Sequence, residues 1–147
     1  ILSLGRDGLK ETSLNAVLNA NYMMKKLDDL YTVAYPGTCM HEFVLTLEKE
    51  KDEYGVSAKD VSKALLDHGI HPPTMYFPNI VHEALMVEPN ETESKETIDH
   101  AVSVLRDIYE TAKTNPEALH NAPLTTPVRR VDDVQAARNP ILIYKPE

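Results

Sequence analysis

The side chains able to do chemistry fall in three short stretches of the 147 residues. His41 and Glu42 stand side by side, His71 and Thr74 bracket Pro72-Pro73, and Glu88 precedes Pro89 and the polar run Asn90-Glu91-Thr92-Glu93-Ser94. The imidazole and carboxylate at 41 and 42 could approach a bound amino acid. Adjacent strand residues point to opposite faces, however, so at most one of the two looks into a given cleft. His71 and Thr74 carry groups able to bind an anion; alternatively they satisfy the backbone of a loop that its prolines leave short of donors. Glu88, Thr92 and their neighbours collect at a helix start, where acids suit the helix dipole and capping accounts for most of them. His68, His71 and His82 are close in sequence, but Gly69 breaks the helix between the first two, so the one-face spacing of a zinc-binding pair is absent. No nucleophile elbow surrounds any serine, and no basic cluster surrounds Cys39. The five glycines match no phosphate cradle.

The elements that must position these groups are legible from pattern. Three prolines within Pro72–Pro78 exclude a helix there. Ala84-Leu85-Met86-Val87 is a short apolar run of strand length, ended by Pro89, and Asn90, Thr92 or Ser94 can cap the helix that follows. That helix runs from about Glu93 to Lys113, with Ile98, Ala101, Val102, Leu105, Ile108, Tyr109 and Ala112 on its buried face. Upstream, a long helix over 7–31 carries an apolar stripe of Leu14, Val17, Leu18, Met24, Leu27 and Tyr31, with Asp7 as a possible cap. Asn21 interrupts the stripe and needs a polar partner if it is buried. Met40–Leu47 is rich in strand formers without strict alternation, which predicts a largely covered strand. Glu48–Glu53 is a charge run expected in water. Ser57-x-x-Asp60 resembles a capping box, and Gly69 suits the end of the helix it opens. Asn115-Pro116 begins a short helical turn, Asp132–Arg138 can make one or two more, and Ile141–Tyr144 is an edge strand or a segment docking elsewhere. The pattern gives an α+β fold: a small antiparallel or mixed sheet with helices on one face, residues 1–124 as the body with a β-α-loop-β-α unit over 40–113, and 125–147 as an extended arm.

Composition narrows the function classes. A net charge of -8 argues against a nucleic-acid footprint, which needs a basic face. No stretch approaches the roughly 20 apolar residues of a membrane helix, and no signal peptide is visible. A single cysteine rules out an internal disulfide and fits a reducing, cytoplasmic setting. The chain begins Ile1-Leu2-Ser3, which fits a processed or partial polypeptide.

The stretch His71-x-Pro73-Thr74-Met75-x-Phe77-Pro78, continued by Ala84-Leu85-Met86-Val87-Glu88-Pro89 and the run to Glu96, resembles the C-terminal region of pyridoxal-phosphate glycine decarboxylase. That enzyme is the P-protein of the glycine cleavage system. The resemblance extends back through Ala16–Tyr22 and His41-Glu42-Phe43, and on to Thr125–Arg130, whose form matches the separate second-subunit type. Tyr76 departs from it, since the family's motif carries serine there. The resemblance implies the small domain of an aspartate-aminotransferase-type fold, in an oligomeric enzyme whose partners are a first subunit and a lipoyl carrier protein. Glycine is the substrate it implies, with pyridoxal phosphate as the electron sink. His41, His71, Thr74, Glu88 and Thr92 then become candidates for facing cofactor or substrate. The Schiff-base lysine belongs to the family's large domain, and no lysine here sits in a pattern that would lower its pKa by burial. Taken alone, the chain is therefore expected to be inactive. Alternative readings are a non-catalytic interaction or scaffold module, and the small domain of another enzyme of this superfamily.

Overall fold

The computed structural model describes residues 1–144. Six helices and four strands follow in the order α1 (Gly5–Leu27), β1 (Thr32–Val33), β2 (Phe43–Thr46), α2 (Glu48–Tyr54), α3 (Ala58–Asp67), β3 (Thr74–Met75), β4 (Ala84–Val87), α4 (Lys95–Thr114), α5 (Pro116–Asn121) and α6 (Asp133–Arg138). The strands form one antiparallel sheet in the order β1-β2-β4-β3. The expected α+β class holds, although two strands were expected and four are present among the described residues. β1 and β3 are two residues each, too short to leave a periodic signal; neighbouring strands define them.

Phe43 pairs with Val87 and Leu45 with Leu85, so these four side chains share one face of the sheet. They join Leu27 of α1, Leu65 of α3 and Leu105 of α4 in a single buried cluster. Val44 and Ala84, on the other face, are buried too, which is why β2 shows no alternation. The α4 face follows the periodicity: Ile98, Val102, Leu105, Ile108, Tyr109 and Ala112 are buried, with Val104 added. Ser94 caps this helix by accepting from the Thr97 amide, and the Ser57–Asp60 capping box of α3 closes in both directions. Gly69, at φ +70°, turns the chain out of α3.

The long first helix departs from its expected stripe. It covers Gly5–Leu27 and buries Ala20, Met23, Met24 and Leu27, while Leu14 and Leu18 remain 59% and 65% exposed. The helical period is right, but the body lies beneath only the second half of the helix. Asp7 is in the first turn and Leu4 occupies the capping position without a side-chain bond. Tyr31 lies past the helix, buried, its hydroxyl donating to the Leu105 carbonyl at 2.8 Å.

The charge run Glu48–Glu53 is also not simply solvated. It forms α2, and Glu50 points inward and is 1% exposed. A third departure concerns the arm, expected to be extended, whose paired arginines fold back onto the body. In the structure Arg130 donates to the carbonyls of Ala122 and Leu119 and reaches the Asp60 carboxylate at 2.7 Å, and Arg129 donates to the Asn121 carbonyl. The Asp67 carboxylate accepts from the amides of Leu124 and Thr125, and Lys59 pairs with Asp133. Ile141–Tyr144 stay exposed and form no strand. Lys145 and the end of the arm at Glu147 lie outside the described residues. Among the described residues, no helix is long and apolar enough to cross a membrane.

Candidate functional site

Where α3 ends, Gly69 redirects the chain and Pro72-Pro73 hold it extended into β3, whose Thr74 pairs with Met86 of β4. The path leaves a concavity of about 720 Å³ between the 68–74 segment, the end of β4 and the first half of α4. Its apolar lining includes Met23, Leu65, Ile98 and Leu105, and His71, Thr74 and Glu88 border it together with Asn90 and Glu93. Three of the five residues singled out in the sequence therefore meet at one cleft, although 17 positions separate His71 from Glu88.

The other two stand beside it. His41 Nε2 is 4.0 Å from both Glu42 Oε2 and Glu88 Oε1, all three side chains being well exposed. Thr92 does not border the concavity; its amide and hydroxyl both donate to Asn90 Oδ1, at 3.1 and 2.5 Å, which locks the turn before α4. In this turn Thr92 shapes the chain instead of presenting its hydroxyl to the cleft.

Two asparagines of α1 hold the flanking loops. Asn21 donates to the Cys39 carbonyl at 2.7 Å and accepts from the Cys39 amide at 3.0 Å, the polar partnership its place in the stripe demands. Asn19 donates to the carbonyls of Asn90 and Glu93 at 2.9 and 3.2 Å. Two residues apart on a helix, the two side chains leave on opposite flanks, one fixing the loop that leads to His41 and the other the loop after Glu88. Asn19 carries no signal in the sequence beyond its polarity; only the approach of the 90–93 loop gives it a partner.

The lining contains no lysine or arginine. Lys95 and Lys113 are paired with Asp99 and Glu110, and Lys59 with Asp133. The described residues alone therefore do not fit pyridoxal phosphate: they supply no amine in the cleft. Burial pushes the Cys39 thiol up, which disfavours the thiolate. Among the described residues, no three His, Cys, Asp or Glu side chains come together to hold a metal ion. What the rim offers is orientation, through imidazole, hydroxyl and carboxylate groups set around an apolar hollow.

The fold and this rim define a small α+β domain with imidazole, hydroxyl and carboxylate groups set around one concavity. The family described as glycine dehydrogenase, C-terminal domain, matches residues 12–125, and the chain belongs to that family. It is 60% identical over 145 residues to the glycine dehydrogenase (decarboxylating) subunit 2 of Treponema denticola, covering 99% of this chain and 30% of that protein. The protein of the same name from Thermosipho melanesiensis is 56% identical over 98% of this chain and 30% of its own length. That of Thermotoga maritima is 52% identical over 99% and 31%. The chain thus spans about a third of the length of these relatives.

Proposed function

We propose that the chain is the C-terminal domain of a pyridoxal-phosphate glycine decarboxylase and forms one wall of its active site. Residues 1–124 are the domain body and 125–147 its arm. His41, His71, Thr74 and Glu88 face the substrate side, and Thr92 holds the turn beside them. The reactive lysine and the phosphate grip come from polypeptide outside this chain, and glycine is the substrate. The name borne by the relatives supports a first subunit as partner; a lipoyl carrier protein, an oligomeric assembly and a cytoplasmic setting belong to the same reading.

The observation that carries the proposal is the convergence of His71, Thr74 and Glu88 on one cleft in a domain of this family. Their contribution is placement, since groups set around a reacting molecule act by holding its orientation. Two measurements test it. The 147-residue chain, treated with the cofactor and borohydride, is expected to give no stoichiometric adduct on any lysine, whereas the full-length polypeptide gives one outside this region. In the full-length enzyme with its partner subunit, His71→Ala and Glu88→Gln are expected to lower glycine-dependent carbon dioxide release about tenfold or more with the fold intact. Unchanged rates in both variants would remove the rim from the active site, and an adduct on a lysine of this chain would refute the division of labour.

A further inference from the structure

The first half of α1 is a helix without a support. At 1.5 Å per residue its 23 residues extend about 35 Å, but only the stretch from Ala20 onward is buried against the body. Leu2, Leu4, Leu9, Leu14 and Leu18 are all exposed. Leu9 stands about five turns before Leu27 on the same side, whereas Leu4, Leu14 and Leu18 lie within about 80° of one another on the opposite side. Leucines therefore occupy two faces of a projecting helical segment only a few turns long. A helix that short is marginal in water without tertiary contacts.

The second apolar face runs on towards the candidate site. Asn21, one turn beyond Leu18, clamps the Cys39 backbone, and Met40, the next residue, is 74% exposed. His41 follows directly. The leucine face thus leads through the Asn21 clamp to the Met40–His41 segment that stands beside the cleft.

We propose that this surface, from Leu4 through Leu18 to Met40, is covered by the portion of the same polypeptide that lies upstream of this domain in the full-length protein. The relatives matched over nearly all of this chain are about three times its length, and the matching family is a C-terminal domain. The bare end of α1 is the end that such an upstream portion joins. A covalent connection there gives it a millimolar effective concentration at the leucine face, which a second copy of the chain lacks at ordinary concentrations. Arg6, Asp7, Lys10 and Glu11 are interspersed among the leucines, as suits a contact between domains of one chain, which is more polar than an obligate subunit interface. This inference rests on the domain's place in a longer polypeptide and not on the reaction, so it can fail while the decarboxylase reading stands.

Trypsin provides the test, because Arg6 and Lys10 lie in the projecting half. Cleavage after these residues is expected to be about tenfold or more slower in the full-length polypeptide than in the 147-residue chain. Leu14→Glu with Leu18→Glu should restore fast cleavage in the full-length polypeptide while leaving the thermal transition of the shorter chain in place. Equal cleavage in the two wild-type proteins overturns the proposal and needs no variant. Dimerisation of the 147-residue chain in sedimentation, abolished by the same substitutions, also overturns it by assigning the surface to a second copy.

Discussion

Glu50 is the side chain whose environment least resembles its sequence. It sits in the first turn of α2, buried, and neither carboxylate oxygen has a hydrogen-bond partner among the described residues. Burial pushes its carboxyl above the ordinary value, with the nearby Glu53 adding in the same direction. The folded state therefore holds this proton more tightly than the unfolded chain. Its contribution to stability declines as pH rises from the unfolded value, and the decline ends once pH exceeds the raised folded value. Each unit of difference is worth about 1.4 kcal/mol. Glu50→Gln removes the titration at nearly constant volume. Urea midpoints at pH 5 and pH 8 should show the variant gaining on the wild type at the higher pH. Parallel profiles would mean that Glu50 reaches solvent or a partner.

At the scale of elements, α4 is the helix on which the core depends most. Its buried face meets β2 and β4 residues in one cluster, and Leu105 is central to it at 2% exposure. Leu105→Ala is expected to cost about 2–5 kcal/mol in chemical denaturation, by lost transfer energy and the cavity left behind. A cost below about 0.5 kcal/mol would mean the face is misplaced. Because Leu105 also lines the concavity and its carbonyl accepts from Tyr31, the same change should loosen the cleft. The start of α3 is tied in a different way. Although burial works against ionisation of Asp60, bonds from the Ser57 hydroxyl and amide and from Arg130 hold its carboxyl below the usual value. The stability carried by Asp60 is therefore present above its unfolded pKa and lost as pH falls through the folded one.

For the whole molecule, the Asp60–Arg130 contact makes the first part of the arm a strap across α3 and α5. Truncation after Leu124 removes Arg130 from Asp60, Thr125 from Asp67 and Asp133 from Lys59. The expected loss is about 2–4 kcal/mol, because a buried carboxylate is left with fewer partners. Truncation after Pro140 removes the exposed Ile141–Tyr144 together with 145–147 and should change stability by less than about 0.5 kcal/mol. Urea titration of the two shortened chains separates these effects; equal midpoints would show that the strap contributes nothing.

Local signals were strongest where short-range physics decides. The Ser57–Asp60 box, the Gly69 stop, the break at Pro72-Pro73 and the buried face of α4 depend on a few consecutive residues or on one helical period, and each stands as the sequence indicates. The likeness carried by His71–Glu96 likewise identifies the family from local sequence. Tertiary structure decided what depends on partners distant in the chain. Leu14 and Leu18 have helical spacing but no body beneath them, Glu50 is turned inward by the packing of a short charged helix, and Arg130 folds back because Asp60 is within reach. The cleft belongs to this second group. His71 and Thr74 meet Glu88 there only because β3 pairs with β4, and a two-residue strand is too short to announce that pairing in the sequence.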